Sequence, residues 1–226
     1  MEKRPHMGAN MERPCRSSKP LAGDRHDRQC EAMNKPQHII ALPHYSGAGH
    51  TAQLARAIAS GADEAGARAV PINVEDMTAD AWTTLDSANA ILFGAPTYMG
   101  SVAARYGAFL EEAGERWMDL GWKDKLAGGF TVATFPSGDK LSVLQRFSIF
   151  AAQMGMIWVG PTDIGAPVFP EREGVNADGG WLGLMATSAR SPRGAVRGGD
   201  LETARRFGGR VAEVVQRFLK PISTSH

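Results

Sequence analysis

Apolar strand-length segments and amphipathic helical segments alternate five times along residues 38–219, and this alternation constrains the fold more than any other feature of the chain. Short apolar runs predict strands, and apolar residues three or four positions apart predict helices. The predicted strands are 38–43, 68–74, 90–94, 126–134 and 156–159, and the predicted helices are 49–66, 78–88, 102–117, 141–154 and 201–219. Such alternation predicts an α/β fold, with a parallel sheet covered by helices on both faces.

The third predicted strand supports this interpretation. Residues 90–93 are all apolar, whereas a strand with one side facing water would alternate apolar and polar residues. Five buried strands fit the order 2-1-3-4-5, in which a crevice opens between strands 1 and 3 at their carboxyl ends. We therefore expect a ligand to bind at that edge of the sheet.

The loop after the first strand, 44–51, has the composition of an anion-binding loop. It contains two glycines, it offers the side chains of Ser46, His50 and Thr51, and it leads into a helix whose amino end is positive. It has no Lys or Arg and lacks the G-K-[ST] ending of a triphosphate-binding loop, so a single terminal phosphate fits better than ATP. Simple capping of the helix is the alternative interpretation.

Two further polar loops follow strands 3 and 4. The loop 94–100 presents Thr97, Tyr98 and Met99, on which a flat ring could rest; a rigid turn with Tyr98 packed beneath it is the alternative. The loop 133–140 is rich in backbone donors, although an N-cap at Ser137 or Asp139 would also explain it. Because the predicted topology brings all three loops to one edge, we interpret them as one ligand site.

The motifs in these loops resemble the WrbA-type NAD(P)H:quinone oxidoreductases of the flavodoxin-like superfamily, which includes NADPH-dependent FMN reductase-like proteins. The similarity covers residues 38–220 and includes the segments 46–51, 93–100 and 204–208 and Gly155-Met156. It implies a flavodoxin-like three-layer sandwich with a five-stranded parallel sheet. Ala48 stands where the family often has an aromatic residue, and Phe135-Pro136-Ser137 replaces a mostly glycine segment.

The resemblance also implies a set of residues that bind FMN. Its phosphate would lie on the first loop and its ring against the other two, with Gln153 at the position of a flavin-contacting His. The predicted cofactor-binding residues are Ser46, Gly47, Ala48, Gly49, His50, Thr51, Pro96, Thr97, Tyr98, Met99, Gly100, Ala133, Thr134, Phe135, Pro136, Ser137, Gly138 and Gln153. Trp117 resembles the family's tryptophan near the substrate, with a place in the core as its alternative.

The predicted function is an FMN-dependent oxidoreductase that takes electrons from NAD(P)H and passes them to a quinone or similar acceptor. The flavin carries the chemistry in such enzymes, so we predict no catalytic side chain, and no metal-ligand cluster is recognisable. Two alternatives stay open: a flavodoxin-type carrier of single electrons, and a flavodoxin-like module without catalysis. The family is commonly oligomeric, so a homodimer or homotetramer is expected.

The remaining sequence bounds the domain and its environment. Residues 1–35 hold both cysteines and carry eight Lys or Arg against five Asp or Glu, which leaves 17 basic and 19 acidic residues in the rest. We predict that 1–35 is a disordered or misannotated extension and that 36–222 form the FMN-binding domain, with a long loop at 161–199. The absence of a signal sequence, of a long apolar run and of a nucleic-acid-binding motif predicts a cytoplasmic protein that neither inserts into membranes nor binds nucleic acid.

Overall fold

The computed structural model of the protein describes residues 38–166, 168–189 and 194–220. The predicted extension, 1–35, lies outside these residues, as do residues 221 and 222 at the end of the predicted domain. Within the described part, the strands are β1 (Ile39–His44), β2 (Arg68–Asn73), β3 (Ala90–Tyr98), β4 (Ser101–Val102), β5 (Leu126–Ala133), β6 (Ile157–Trp158) and β7 (Leu184–Thr187). The helices are α1 (His50–Glu64), α2 (Ala79–Ser87), α3 (Ala104–Ala113), α4 (Lys140–Gln153) and α5 (Gly198–Phe218), with short 3-10 turns at Val74–Asp76, Gly114–Trp117 and Pro170–Arg172.

The strands form one sheet in the order β2-β1-β3-β5-β6. All pairings along this path are parallel, and β4 adds a short antiparallel pairing at the end of β3. The predicted α/β fold with strand order 2-1-3-4-5 is therefore confirmed.

Two short strands share the position beside β5. β6 pairs with Leu126 and Ala127 at the start of β5, and β7 pairs in parallel with residues 130–133 at its end. The segment predicted as a loop, 161–199, thus contains a strand as well as the start of α5. A four-residue strand carries almost no periodicity of its own, so its pairing with β5 is what defines it.

The helices cover both faces of the sheet. Apolar residues of α1 and α5 pack with one face, while α2, α3 and α4 pack with the other. Helices α1 and α5 cross so closely that a Cβ on Gly61 would lie 1.8 Å from the carbonyl oxygen of Arg205, and one on Gly208 would lie 1.9 Å from that of Ile58. Only glycine permits this approach at either position.

None of the described helices is both long enough and apolar enough to cross a membrane.

Candidate functional site

A cavity of about 260 Å³ opens at the carboxyl edge of the sheet and receives residues from all three predicted loops. We call it the edge cavity. Its lining residues are Ser46, Gly47, Ala48, His50, Thr51, Pro96, Thr97, Tyr98, Val132, Ala133, Thr134, Ser188 and Ala189. The described lining includes no Lys or Arg, so an anion bound here would be held by neutral donors and by the helix dipole.

The amino end of α1 forms one side of the edge cavity. Ser46 Oγ accepts a hydrogen bond from the N–H of Ala52 at 3.0 Å. Gly49, which precedes the helix, has a left-handed backbone with φ of 87° and no side-chain cap. The N–H groups of His50 and Thr51 are in the first turn and have no intrahelical acceptor. This helix end is therefore built like an anion site.

Two buried side-chain atoms of the edge cavity have no hydrogen-bond partner among the described residues. They are Nε2 of His50 and Oγ1 of Thr51, and the two side chains are 8% and 1% exposed. A buried polar atom without a partner costs about 1–3 kcal/mol, so native proteins satisfy nearly all of them. These two atoms indicate where a ligand would complete the hydrogen bonding.

Hydroxyl groups form much of the remaining polar surface. Oγ1 of Thr97, a lining residue, lies 2.8 Å from Oγ1 of Thr131, which is buried beneath the lining. The hydroxyls of Tyr98 and Tyr45 converge on Gly47, where a Cβ would lie 2.8 Å and 3.0 Å from them. Burial, and then the neighbouring Tyr45, raise the pKa of Tyr98. Tyr98 is therefore a neutral hydroxyl donor at neutral pH.

His44 lies at the end of β1, next to the cavity-forming loop but not in its lining. Its ring is 8% exposed, and Nδ1 lies 3.1 Å from the carbonyl oxygen of Leu42. Burial lowers the pKa of His44 below 6.5, so this side chain is neutral at neutral pH. The described residues also contain no group of three or more His, Cys, Asp or Glu side chains placed to hold a metal ion.

Several predicted residues lie in the three loops but outside the lining of the edge cavity. They are Gly49, Met99, Gly100, Phe135, Pro136, Ser137 and Gly138. Met99 is fully exposed and Phe135 is 66% exposed, so both present apolar surface to solvent beside the cavity. Gly138 has φ of 55°, and a Cβ there would lie 2.6 Å from that of Ala133; this turn therefore requires glycine.

The structure does not bring Gln153 and Trp117 to the edge cavity of their own chain. Gln153 lines a different cavity, together with Ile149 and Phe150. Helix α4 runs from Lys140 at the carboxyl edge toward the opposite edge, and its 14 residues span about 20 Å at roughly 1.5 Å each. Trp117 ends the turn after α3, which runs in the same direction, and it is 53% exposed. The alternative interpretation of Trp117, a place in the core, is therefore wrong, and its role near the substrate stays a prediction.

Three lining residues were missed by the sequence analysis. Val132 belongs to β5, and Ser188 and Ala189 follow β7. The N–H of Ser188 donates to the carbonyl of Ala133 at 3.0 Å, which continues the β5–β7 pairing into the wall of the cavity. The apolar residues 181–185 were the available signal, but their pairing partner is set by the tertiary fold.

The comparisons with known proteins agree with this fold. The flavodoxin family model matches residues 44–179. The chain is 37% identical to Flavodoxin FldP of Pseudomonas aeruginosa (77% of this chain, 95% of that protein). It is 31% identical to an NAD(P)H dehydrogenase (quinone) of Cupriavidus metallidurans (79% and 98%).

A solved structure supports the same relationship. The flavodoxin, WrbA-like protein from Agrobacterium tumefaciens superimposes with a TM-score of 0.64 at 34% identity, over 80% of this chain and 99% of that one. The resemblance recognised from the loop motifs is confirmed. This chain belongs to the flavodoxin family.

Proposed function

We propose that this protein is an FMN-dependent oxidoreductase that takes electrons from NAD(P)H and delivers them to a quinone or similar flat acceptor. One observation carries the cofactor part of the proposal. Nε2 of His50 and Oγ1 of Thr51 are buried without partners at the amino end of α1, where a phosphate would supply the acceptor or donor that each lacks.

The residues present fit FMN. His50, Thr51 and the backbone of residues 46–51 would hold the phosphate, and the residues of the other two loops would hold the rest. A cavity of about 260 Å³ is slightly smaller than the usual ligand site of roughly 300–1,000 Å³. The flavin ring would therefore lie at the rim beside Tyr98, which is 46% exposed.

The position at the rim suits an oxidoreductase with two small substrates. The chemistry that FMN supplies when bound is the acceptance of a hydride, followed by transfer of the two electrons to an acceptor. The chain's own residues bind and orient it, and the exposed rim at Tyr98, Met99 and Phe135 leaves access for a nicotinamide and then for an acceptor. The name of the Cupriavidus metallidurans relative supports this donor and this class of acceptor.

A second function, single-electron transfer between proteins, is favoured by the 37% identity to Flavodoxin FldP. Reduction of the flavin by a nicotinamide distinguishes the two functions. We expect NADH or NADPH to bleach the bound FMN under nitrogen and a quinone to restore its colour. If FMN binds and neither nicotinamide bleaches it, the oxidoreductase proposal is wrong and the electron carrier is favoured.

Cofactor binding has a separate test in Thr51→Val. This substitution removes an unpartnered hydroxyl, so the free energy of unfolding of the apoprotein should stay the same or rise. The dissociation constant for FMN, measured by quenching of flavin fluorescence, should rise about tenfold or more because a hydrogen bond to a charged group is lost.

Thr203→Val is the matched control for Thr51→Val. Thr203 is equally buried, but its hydroxyl accepts from the N–H of Asn176 at 2.8 Å and donates to the carbonyl of Gly199 at 2.7 Å. This variant should lose about 1–3 kcal/mol of stability and keep its affinity for FMN. Equal effects of both variants on FMN binding would contradict the assignment of the phosphate to α1.

Three statements about the protein's surroundings remain predictions from the sequence. They are the homodimer or homotetramer, the cytoplasmic location, and the lack of nucleic-acid binding.

A further inference from the structure

Four charged side chains form a cluster behind one wall of the edge cavity: Lys140, Asp178 and Asp200, which are buried, and Arg197, whose side chain is 45% exposed. We call this cluster the clamp. The side chains of Lys140 and Asp178 are 0% and 2% exposed. The four residues come from three separate segments, namely the start of α4, the segment between β6 and β7, and the start of α5. The chain thus buries several charges where no predicted role requires them.

Lys140 uses all three of its N–H donors within the clamp and on β7. Nζ donates to the carboxylate of Asp178, to the carbonyl of Ala186 at 3.0 Å and to Oγ1 of Thr187 at 3.0 Å. An ammonium group has three donors, so none is left for a ligand. Lys140 therefore acts on the backbone of β7 and not on the contents of the cavity.

Thr187 is held by the clamp on three sides. Besides accepting from Lys140, its Oγ1 donates to Asp178 at 2.7 Å, and its backbone N–H donates to Asp200 at 2.9 Å. Arg197 completes the clamp with bonds of 2.6 Å to Asp178 and 3.0 Å to Asp200. The residue fixed in this way stands directly before Ser188 and Ala189, which line the edge cavity.

The formal charges of the clamp are balanced, although burial lowers the pKa of Lys140 and raises that of Asp200. Burial would raise the pKa of Asp178, but hydrogen bonds from Lys140, Thr187 and Arg197 outweigh burial and lower it. Two cations face two carboxylates, so the clamp adds no net charge beside the cavity. Buried ion pairs are weak stabilisers, and apolar residues of the same size often stabilise as well. A cluster in which every charged group is hydrogen-bonded instead holds its residues in a single arrangement.

We propose that the clamp is a positioning device for the flavin: it fixes Ser188 and Ala189 as a rigid wall of the edge cavity, and Lys140 and Asp178 are positioning residues for FMN. The inference rests on the FMN binding of the proposed function. Binding sites lose affinity when their supporting residues allow shifts of about 0.5 Å. The clamp also joins this wall to the loop 133–140, because Lys140 ends that loop and begins α4.

The test compares Lys140→Met, Asp178→Asn and the double variant, with FMN as the probe. If the clamp positions the wall, both single variants raise the dissociation constant for FMN about tenfold, and the double variant does not restore it. Hydrogen exchange of the apoprotein, measured on the peptide containing residues 184–189, should become faster in both. This second readout does not depend on bound flavin.

Two outcomes would overturn the proposal. Opposite changes of FMN affinity in the two single variants, cancelled in the double variant, would mean that the clamp acts through its charge on the phosphate. Unchanged affinity in variants of lowered stability would mean that it serves only the fold. Lys125→Met is the control, because Lys125 donates to the carbonyls of Asp86 and Ala88 on the opposite edge of the sheet; it should lose stability and keep its affinity for FMN.

Thr187→Val covers the case in which the charge variants do not fold. It keeps the volume of the side chain and the backbone bond to Asp200, and it removes the hydroxyl that bonds both Lys140 and Asp178. The dissociation constant for FMN should rise about threefold or more, and an unchanged constant would contradict the proposal. If the wild-type protein does not bind FMN, the proposed function and this inference both fail. If the wild type binds FMN and the variants bind it equally well, only this inference fails.

Discussion

The two edges of the sheet use polar groups in opposite ways. At the amino edge, Asp86 accepts hydrogen bonds from Arg116 at 2.6 Å and 3.1 Å and from the indole N–H of the buried Trp122 at 2.8 Å. Lys125 donates to two backbone carbonyls, those of Asp86 at 2.8 Å and Ala88 at 2.6 Å. Hydrogen bonding and ion pairing at this edge are completed within the chain.

At the carboxyl edge, the hydrogen bonding is incomplete. His50 and Thr51 keep buried atoms without partners. Satisfied polar groups stabilise a fold, whereas unsatisfied ones collect at functional sites. We therefore interpret the amino edge as serving stability and the carboxyl edge as serving binding.

The largest expected effect that would test this division comes from Trp122→Ala. Trp122 is fully buried and lies with its ring centroid 6.5 Å from that of Phe93. Its removal should lower the free energy of unfolding by about 3–5 kcal/mol, measured by urea denaturation, while the folded fraction keeps its affinity for FMN. Trp117→Ala, at an exposed tryptophan, should change stability by less than about 0.5 kcal/mol. A loss of FMN affinity in Trp122→Ala would show that the two edges are not independent.

A smaller effect is expected from a pair of glycines with similar backbones. Gly49 and Gly66 have φ of 87° and 84°; a Cβ on Gly49 would meet no other atom within 4 Å, and one on Gly66 would meet only Nε2 of Gln216, at 3.8 Å. Alanine at either position should lower stability by about 1–2 kcal/mol, because an L-residue is strained in this conformation.

The two alanine variants should differ in their affinity for FMN, which calorimetric titration can measure. Gly49→Ala should weaken it, because Gly49 sets the start of α1 beside the edge cavity, and Gly66→Ala, just after the end of the same helix, should not. Equal affinities in the two variants would mean that the amino end of α1 is not where FMN binds.

The smallest effect is a dependence of stability on pH that originates at His44. Burial lowers the pKa of this side chain in the folded state below 6.5. Below about pH 6.5 the unfolded chain therefore binds a proton that the folded chain does not, and stability is lost as the pH falls through the folded pKa. Above that pH the contribution is fully present. His44→Gln should unfold with a flatter dependence between pH 7.5 and pH 5; an unchanged slope would assign the acid sensitivity to other groups.

Much of the edge cavity could be predicted because its determinants are local. The loops that hold Ser46, Thr97 and Thr134 follow apolar strands, and parallel strands bring their carboxyl ends to one edge. Gln153 lies outside the edge cavity because helix α4 carries its last residue about 20 Å from its first over 14 residues; the roles of Gln153 and Trp117 stay predictions, since family position alone does not say at which edge a residue lies. Ser188 was missed because the strand before it depends on a partner strand 54 residues away in the chain.

The sequence by itself determined the α/β class, the strand order and the position of the cavity at the carboxyl edge. These follow from apolar periodicity and loop composition, which act over a few residues. Only the tertiary structure decided that β7 completes the sheet, that Ser188 and Ala189 form a wall, and that Lys140 meets Asp178, Arg197 and Asp200 behind that wall. These contacts join segments 13 to 54 residues apart in the chain, and their geometry depends on how the helices pack on the sheet, which no local pattern encodes.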